Sequence, residues 1–119
     1  MKIEGAAKLL RIFIGETDKL NHVPVYEKIV NEARVQNLAG ATVYKGIMGF
    51  GGNSRIVHSA KILRLSEDLP LVIEIVDTEA KIQNFIPIID QIFEDAKCGG
   101  LITTERAEII KYSFSKEKQ

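Results

Sequence analysis

Residues 70–96, PLVIEIVDTEAKIQNFIPIIDQIFEDA, carry a strand and a helix in succession, and their reading decides the fold. Pro70 to Asp77 (PLVIEIVD) is almost continuously apolar, the pattern of a strand placed centrally in its sheet. Thr78 is a residue type that caps a helix, and Glu79 behind it suits the positive end of the helix dipole. Ile82, Phe85, Ile86, Ile89, Ile92, Phe93 and Ala96 then recur at three- and four-residue steps, forming one apolar stripe. Pro87 lies inside that stripe, leaves the carbonyl of Gln83 without its donor and predicts a bend. Gly99 and Gly100 follow as the predicted stop.

The flanking segments complete the pattern. Lys8 to Ile14 (KLLRIFI) predicts a first strand ended by Gly15, with Glu16 to Asn21 as a polar loop. Pro24 suits the first turn of a helix on which Tyr26, Ile29, Val30 and Ala33 share a face, and Gly40 sits where its cap would fall. Ala41 to Lys45 (ATVYK) predicts a second strand. Beyond the second helix, Leu101 to Thr104 and Ala107 to Tyr112 predict two closing strands with a bend around Glu105. The order βαββαβ is that of an α+β, ferredoxin-like fold: an antiparallel sheet with two helices on one face. No repeat, linker or low-complexity stretch interrupts it, so residues 1–119 read as a single domain with a frayed tail over 113–119. Such a fold hosts many functions, and the site must be argued from its residues.

A chain of 119 residues with 45% hydrophobic and 27% charged content suits one soluble globular domain. Its apolar runs are too short to span a bilayer, no secretory signal opens it, and Cys98 is its only cysteine. A cytoplasmic protein without membrane insertion is expected. The net charge of zero conceals unlike segments: Ala33 to Ser66 contains no Asp or Glu but has Arg34, Lys45, Arg55, Lys61 and Arg64. Glu67 to Asp95 holds eight acids against Lys81 alone. The acid-free stretch favours an anionic partner, or else a solvated face beside an acidic one. Five dispersed cations fall short of a nucleic-acid footprint, so no nucleic-acid partner is expected.

Chemistry concentrates in the join between the second and third strands. Four of the nine glycines fall within Gly46-Ile47-Met48-Gly49-Phe50-Gly51-Gly52, where close approach of backbone N–H groups to an anion would use them. The connection from Ile47 to Leu69 is about four times the usual loop length. The segment is neither a dinucleotide fingerprint nor a phosphate-binding P-loop. It also lacks the paired aromatics of an RNA-recognition strand. Arg55 is placed to grip a phosphate or to remain a solvated loop arginine, and His58, without a carboxylate nearby in sequence, reads as structural or as a phosphate ligand. Lys97 either meets a phosphate or complements the helix dipole. Glu16 and Asp18 either support a neighbouring loop or accept from a ribose hydroxyl, His22 reads as helix-entry structure, and Cys98 as a small packing residue.

On Gly40-Ala41-Thr42-Val43, Gly49-Phe50-Gly51 and Leu69-Pro70-Leu71-Val72-Ile73-Glu74-Ile75-Val76 the chain resembles the PII (GlnB-like) signalling proteins. It is more closely similar to an uncharacterised PII-like domain-of-unknown-function family, through Leu38-Ala39-Gly40-Ala41-Thr42-Val43, Gly46-Ile47-Met48-Gly49-Phe50-Gly51 and Ser66-Glu67-Asp68-Leu69-Pro70. The resemblance runs from about Leu9 to Tyr112. It implies a homotrimer with an adenine nucleotide in each cleft between subunits, one side being the base of the long T-loop (47–67) and the other the short B-loop of the adjacent subunit. Carried onto this chain, the nucleotide-binding residues are Lys45, Gly46, Gly49, Phe50, Gly51 and Gly52 with Arg55 and His58. Lys97, Gly99 and Gly100 come from the B-loop, and Glu16 completes the set.

Departures from the PII pattern matter. The B-loop is only Lys97-Cys98-Gly99-Gly100, the last strand ends Ile110-Lys111-Tyr112 without arginines, and no Tyr lies between Tyr44 and Tyr112. These favour AMP or a similar small adenine nucleotide over a triphosphate and remove the tyrosine some members have modified. The expectation is a non-enzymatic regulator with no catalytic or metal residues and no required cofactor. Its loop would switch to control an unknown protein partner, a transporter or metabolic enzyme in the PII manner. A metal-handling or structural trimer like the CutA proteins is the alternative, and a phosphate-transferring or hydrolysing enzyme using His58 is a third.

Overall fold

The computed structural model describes residues 5–59 and 68–115. Its elements run β1 (Gly5–Gly15), β2 (Lys19–Leu20), β3 (Val23–Pro24), α1 (Val25–Val35), β4 (Thr42–Lys45), β5 (Met48–Gly49), β6 (His58–Ser59), β7 (Pro70–Asp77), α2 (Glu79–Ala96) and β8 (Leu101–Ile109). The four long strands form one antiparallel sheet in the order β4-β7-β1-β8, the ferredoxin-like arrangement that the element order predicts.

The central ladder joins β1 to β7 from Lys8↔Asp77 to Gly15↔Pro70. Alternation of side chains then sorts the sheet into two faces. Leu10, Ile12, Ile14, Leu71, Ile73 and Ile75 are buried, and Val25, Ile29 and Ala33 of α1 join them in one core with Ile82, Phe85, Ile89 and Ile92 of α2. Each helix places its apolar residues on that core at helical spacing, so burial rather than propensity holds it. The opposite face stays open: Val76 is 37% and Leu101 55% exposed, and Arg11 lies between Glu74 (2.8 Å) and Glu105.

Both helices end differently from the glycine stops their sequence predicts. At α1, Leu38 N–H donates to Ala33 O (3.0 Å) and Asn37 N–H to Arg34 O (3.1 Å), with Asn37 at φ 61°. At α2, Cys98 N–H donates to Phe93 O (3.2 Å) and Lys97 N–H to Glu94 O (3.1 Å), with Lys97 at φ 53°. These are Schellman closures in which Asn37 and Lys97, not Gly40 and Gly99, take the left-handed position. Gly99 lies farther on because close backbone contact claims it, whereas a side chain at Gly40 would meet open space. Thr78 caps α2 by accepting the Lys81 N–H at 3.4 Å, and the helix runs unbroken through Pro87.

The two closing strands predicted around Glu105 are one strand. β8 pairs continuously with β1 from Phe13↔Leu101 to Gly5↔Ile109. An edge strand needs no apolar alternation to be held by backbone bonds, which is why Thr103, Thr104, Glu105 and Arg106 do not break it. Tyr112 lies beyond the strand; its hydroxyl donates to Ala39 O at 2.7 Å and its ring meets Phe114 edge-on. The loop over 47–67 is partly structured, since β5 pairs with β6 through Met48↔Ser59 and Gly49↔His58; residues 60–67 and 116–119, with Lys61, Arg64 and Glu67, lie outside the described residues.

The loop end opposite the β4–β7 join is held by Asp77, buried completely, which accepts the N–H groups of Ala39 (2.9 Å) and Thr78 (2.6 Å). At the other helix entry, β2 and β3 turn through Asn21 (φ 52°) and His22 (φ 70°), both positive as a type I′ turn requires. His22→Gly and Lys97→Gly each relieve a side chain from left-handed backbone. Each is expected to raise stability in urea denaturation by about 0.5–1 kcal/mol, with an unchanged midpoint slope.

Candidate functional site

Four strand ends meet where β1 finishes and β7 begins: Gly15 opposite Pro70, Lys45 opposite Leu71, and Phe13 opposite Leu101. A cavity of about 200 Å³ opens there. Phe13, Ile14, Pro70 and Leu101 form apolar wall, while Gly49, Phe50, Gly51 and Gly52 form the rim. Asn53, Ser54, His58 and Asp68 supply the polar groups, and Gly15 lies at the base. The first segment of the long loop thus folds back over the sheet end that it leaves.

Backbone proximity explains the glycines. A Cβ on Gly46 would come within 2.8 Å of Pro70, whose carbonyl accepts the Gly46 N–H at 2.7 Å. A Cβ on Gly99 would reach the Gly52 carbonyl oxygen at 2.6 Å, and one on Gly100 would meet Phe93 at 2.7 Å and the Phe13 carbonyl oxygen at 2.8 Å. Gly99 and Gly100 therefore seat the rim of the cavity from behind, within the same chain. Gly51 is different. A Cβ there meets nothing within 4 Å, and its N–H closes a turn onto Ser54 O at 3.0 Å.

Of the residues singled out from sequence, Gly49, Phe50, Gly51, Gly52 and His58 come together on the cavity. His58 Nε2 lies 3.0 Å from Ser54 Oγ, which gives it a neighbour that sequence proximity to carboxylates does not show. Arg55 stacks on the Phe50 ring at 4.7 Å, outside the lining. Lys45 and Glu16 form an ion pair at 2.6 Å, so each neutralises the other next to the site, while Lys97 serves as the left-handed helix end and does not line the cavity.

Asp68, Asn53, Ser54, Gly15 and the apolar wall are members of the cavity that the reading of candidate residues misses. Asp68 Oδ1 accepts the Thr17 N–H at 3.0 Å, and Asn53 Nδ2 donates to Asp68 Oδ2 at 3.4 Å, joining the two ends of the long loop. A Cβ on Gly15 would come within 2.7 Å of both Asp68 Oδ1 and Asn53 Nδ2, so the clasp needs glycine there. The only sequence signal for Asp68 was its place in Ser66-Glu67-Asp68-Leu69-Pro70.

Asp18 stands behind the clasp. Burial pushes its carboxyl up, Asp68 adds to this, and hydrogen bonds from the Gly15 N–H (3.1 Å) and Asn53 oppose it. Burial, with the charge of Asp18, likewise pushes the Cys98 thiol up, away from the reactive thiolate. Among the described residues, no three His, Cys, Asp or Glu side chains gather in a metal-binding arrangement, and no helix is long and apolar enough to cross a membrane.

Residues 7–109 match the model of the DUF190 family, "Uncharacterized ACR". A UPF0166 protein of Aquifex aeolicus is 38% identical over 103 residues, 87% of this chain and 92% of that protein. Among solved structures, a nitrogen regulatory PII-like protein, CPII, from Thiomonas intermedia K12, bound to ADP, AMP and bicarbonate, aligns at a TM-score of 0.65 with 14% identity, over 87% of this chain and 88% of that one. The divalent ion tolerance protein CutA1 of Ehrlichia chaffeensis aligns at a TM-score of 0.54 with 14% identity, over 97% and 88%. At such identities these two show a shared fold.

Two variants follow from the geometry. Gly100→Ala should lower the unfolding free energy by about 1–3 kcal/mol and Gly51→Ala by less than about 0.5 kcal/mol, as thermal denaturation will measure. Because the folded Asp18 carboxyl holds its proton more tightly than an unfolded one, its contribution to stability falls as pH rises from about 4 through its raised folded value. Asp18→Asn keeps an acceptor for Gly15 and should flatten that part of the melting-temperature profile relative to the parent.

Proposed function

The chain belongs to the DUF190 family, and from that premise we propose that it is a PII-like regulator binding a small adenine nucleotide, AMP or a close analogue, at the cavity on the β4–β7 join. The observation that carries this reading is the cavity itself. A glycine-rich rim, Gly49 to Gly52, is held open over apolar wall at the root of a long loop. Apolar walls suit the faces of a purine, and the exposed rim glycines allow backbone N–H groups to approach polar atoms of the ligand. The PII-like fold neighbour bound to ADP and AMP supports the choice of ligand class.

In this reading the protein works as a homotrimer. The open sheet face carries apolar rows through Val72, Phe13 and Leu101 and through Val76 and Leu9, and covering it with neighbouring subunits removes that surface from water. Ligand at the rim contacts Gly51 to Ser54 directly, so occupancy biases the conformations of the 47–67 segment by its differential contacts with them. The segment then engages or releases a protein partner, a transporter or a metabolic enzyme, and the protein acts in the cytoplasm as a sensor rather than as a catalyst. Neither metal nor a permanent cofactor is required.

Calorimetric titration with AMP, ADP, ATP and cyclic AMP tests this. Saturable binding of one nucleotide per subunit is expected, with a mass by light scattering of three chains. Gly51→Val places a side chain at the rim whose Cβ has open space, and Arg55→Ala removes the guanidinium over Phe50. Each should weaken binding about tenfold and leave the trimer intact. Absence of binding at millimolar ligand, or unchanged affinity in both variants, overturns the reading.

A further inference from the structure

We propose that the cavity takes the nucleoside half of the ligand, with Asp68 accepting hydrogen bonds from the sugar hydroxyls, while the phosphate stays outside it near Phe50 and Arg55. The inference rests on the nucleotide reading above and assigns orientation and a specificity residue within it. It runs against the simplest expectation from sequence, in which glycines in an acid-free stretch cradle phosphate.

The charge of the lining carries the argument. Among the described residues around the cavity, Asp68 is the one carboxylate, and none of them is Lys or Arg. The cations of the neighbourhood are engaged elsewhere: Lys45 with Glu16 at 2.6 Å, and Arg55 on the outer Phe50 ring at 4.7 Å. A phosphate inside would face a like charge against apolar wall, where screening is weak.

A sugar reverses the sign of the interaction. An ionised carboxylate only accepts, with about four lone-pair positions. Among the described residues, Asp68 Oδ1 takes the Thr17 N–H at 3.0 Å and Oδ2 takes only a long contact from Asn53 at 3.4 Å, so acceptor capacity faces the cavity. A vicinal diol supplies two donors to such a group. Thr17 and the bare Gly15 fix the carboxylate, since a Cβ at Gly15 would come within 2.7 Å of it. Apolar Ile14 and Pro70 then border the base and sugar carbons. The phosphate, at the opposite end of the nucleotide, emerges at the rim, where the Arg55 guanidinium needs only to leave the Phe50 ring to reach it.

Titrations of AMP, adenosine, 2′,3′-dideoxyadenosine and purine riboside into the parent protein, Asp68→Asn and Asp68→Ala test the assignment. Removing both sugar hydroxyls should weaken binding to the parent about tenfold or more, and to Asp68→Asn by less than about twofold. AMP and adenosine should lose affinity by the same factor in Asp68→Ala, and purine riboside, which lacks the exocyclic amine, should bind the parent as adenosine does. The parent arm stands even if the Asp68 variants fail to fold. If AMP binds and the dideoxy analogue binds the parent equally well, the assignment is overturned and the nucleotide reading survives. Tighter AMP binding by Asp68→Asn overturns it too, by showing phosphate beside the carboxylate, and selective loss of purine riboside would place the base amine there instead. If no nucleotide or nucleoside binds, both fall together.

Discussion

The pairing of β1 with β7 is the constraint on which the remainder of the molecule depends. Eight consecutive positions match, from Lys8↔Asp77 to Gly15↔Pro70, and this register puts Leu10, Ile12, Ile14, Leu71, Ile73 and Ile75 together under the two helices. A slip of one residue would turn every one of these side chains to the open face. The ladder also fixes what its ends do. At one end Asp77 is completely buried and takes the N–H groups of Ala39 and Thr78, tying the exit of α1 to the entry of α2. At the other, Gly15 and Pro70 bring the long loop's exit and return beside each other, and the cavity forms between them.

The chemistry of that cavity is set by what the backbone permits. Gly46, Gly99 and Gly100 are glycines because carbonyl or ring atoms occupy the place of a side chain, whereas Gly51 has open space. The glycines thus divide into those pressed against neighbouring atoms and one with open space, a division that composition does not reveal. The clasp of Gly15, Thr17, Asn53 and Asp68 shows the same economy: one backbone N–H and one side-chain amide hold a carboxylate beside the apolar wall of the cavity. Cations that a charge count assigns to a ligand turn out to be occupied, Lys45 by Glu16 and Arg55 by the ring of Phe50.

Local patterns were legible wherever burial is periodic. Pro70 to Asp77 is a strand at the very bounds its apolar run predicts, and Thr78 caps α2 as its side-chain oxygen implies. Patterns failed where backbone bonding acts without burial. Thr103 to Arg106 sit exposed in an edge strand, so nothing in their polarity marks the continuous ladder to β1. Helix ends were misplaced for a related reason: Asn37 and Lys97 bear the left-handed backbone, and Gly99 and Gly100 serve contacts with Gly52 and Phe13, distant in sequence.

The sequence by itself determined the order of the four sheet strands and two helices, the two apolar helix faces, the family and the glycine-rich segment at the root of the loop, because each is written in neighbouring residues or in spacings of two, three and four. Tertiary structure alone decided that Gly99 and Gly100 brace Gly52, that Lys45 is paired with Glu16, and that Asp68 rather than a lysine or arginine faces the cavity. The physical reason is range. Thr17 and Asp68 are 51 positions apart, and only the register of the β1–β7 ladder turns that separation into a hydrogen bond.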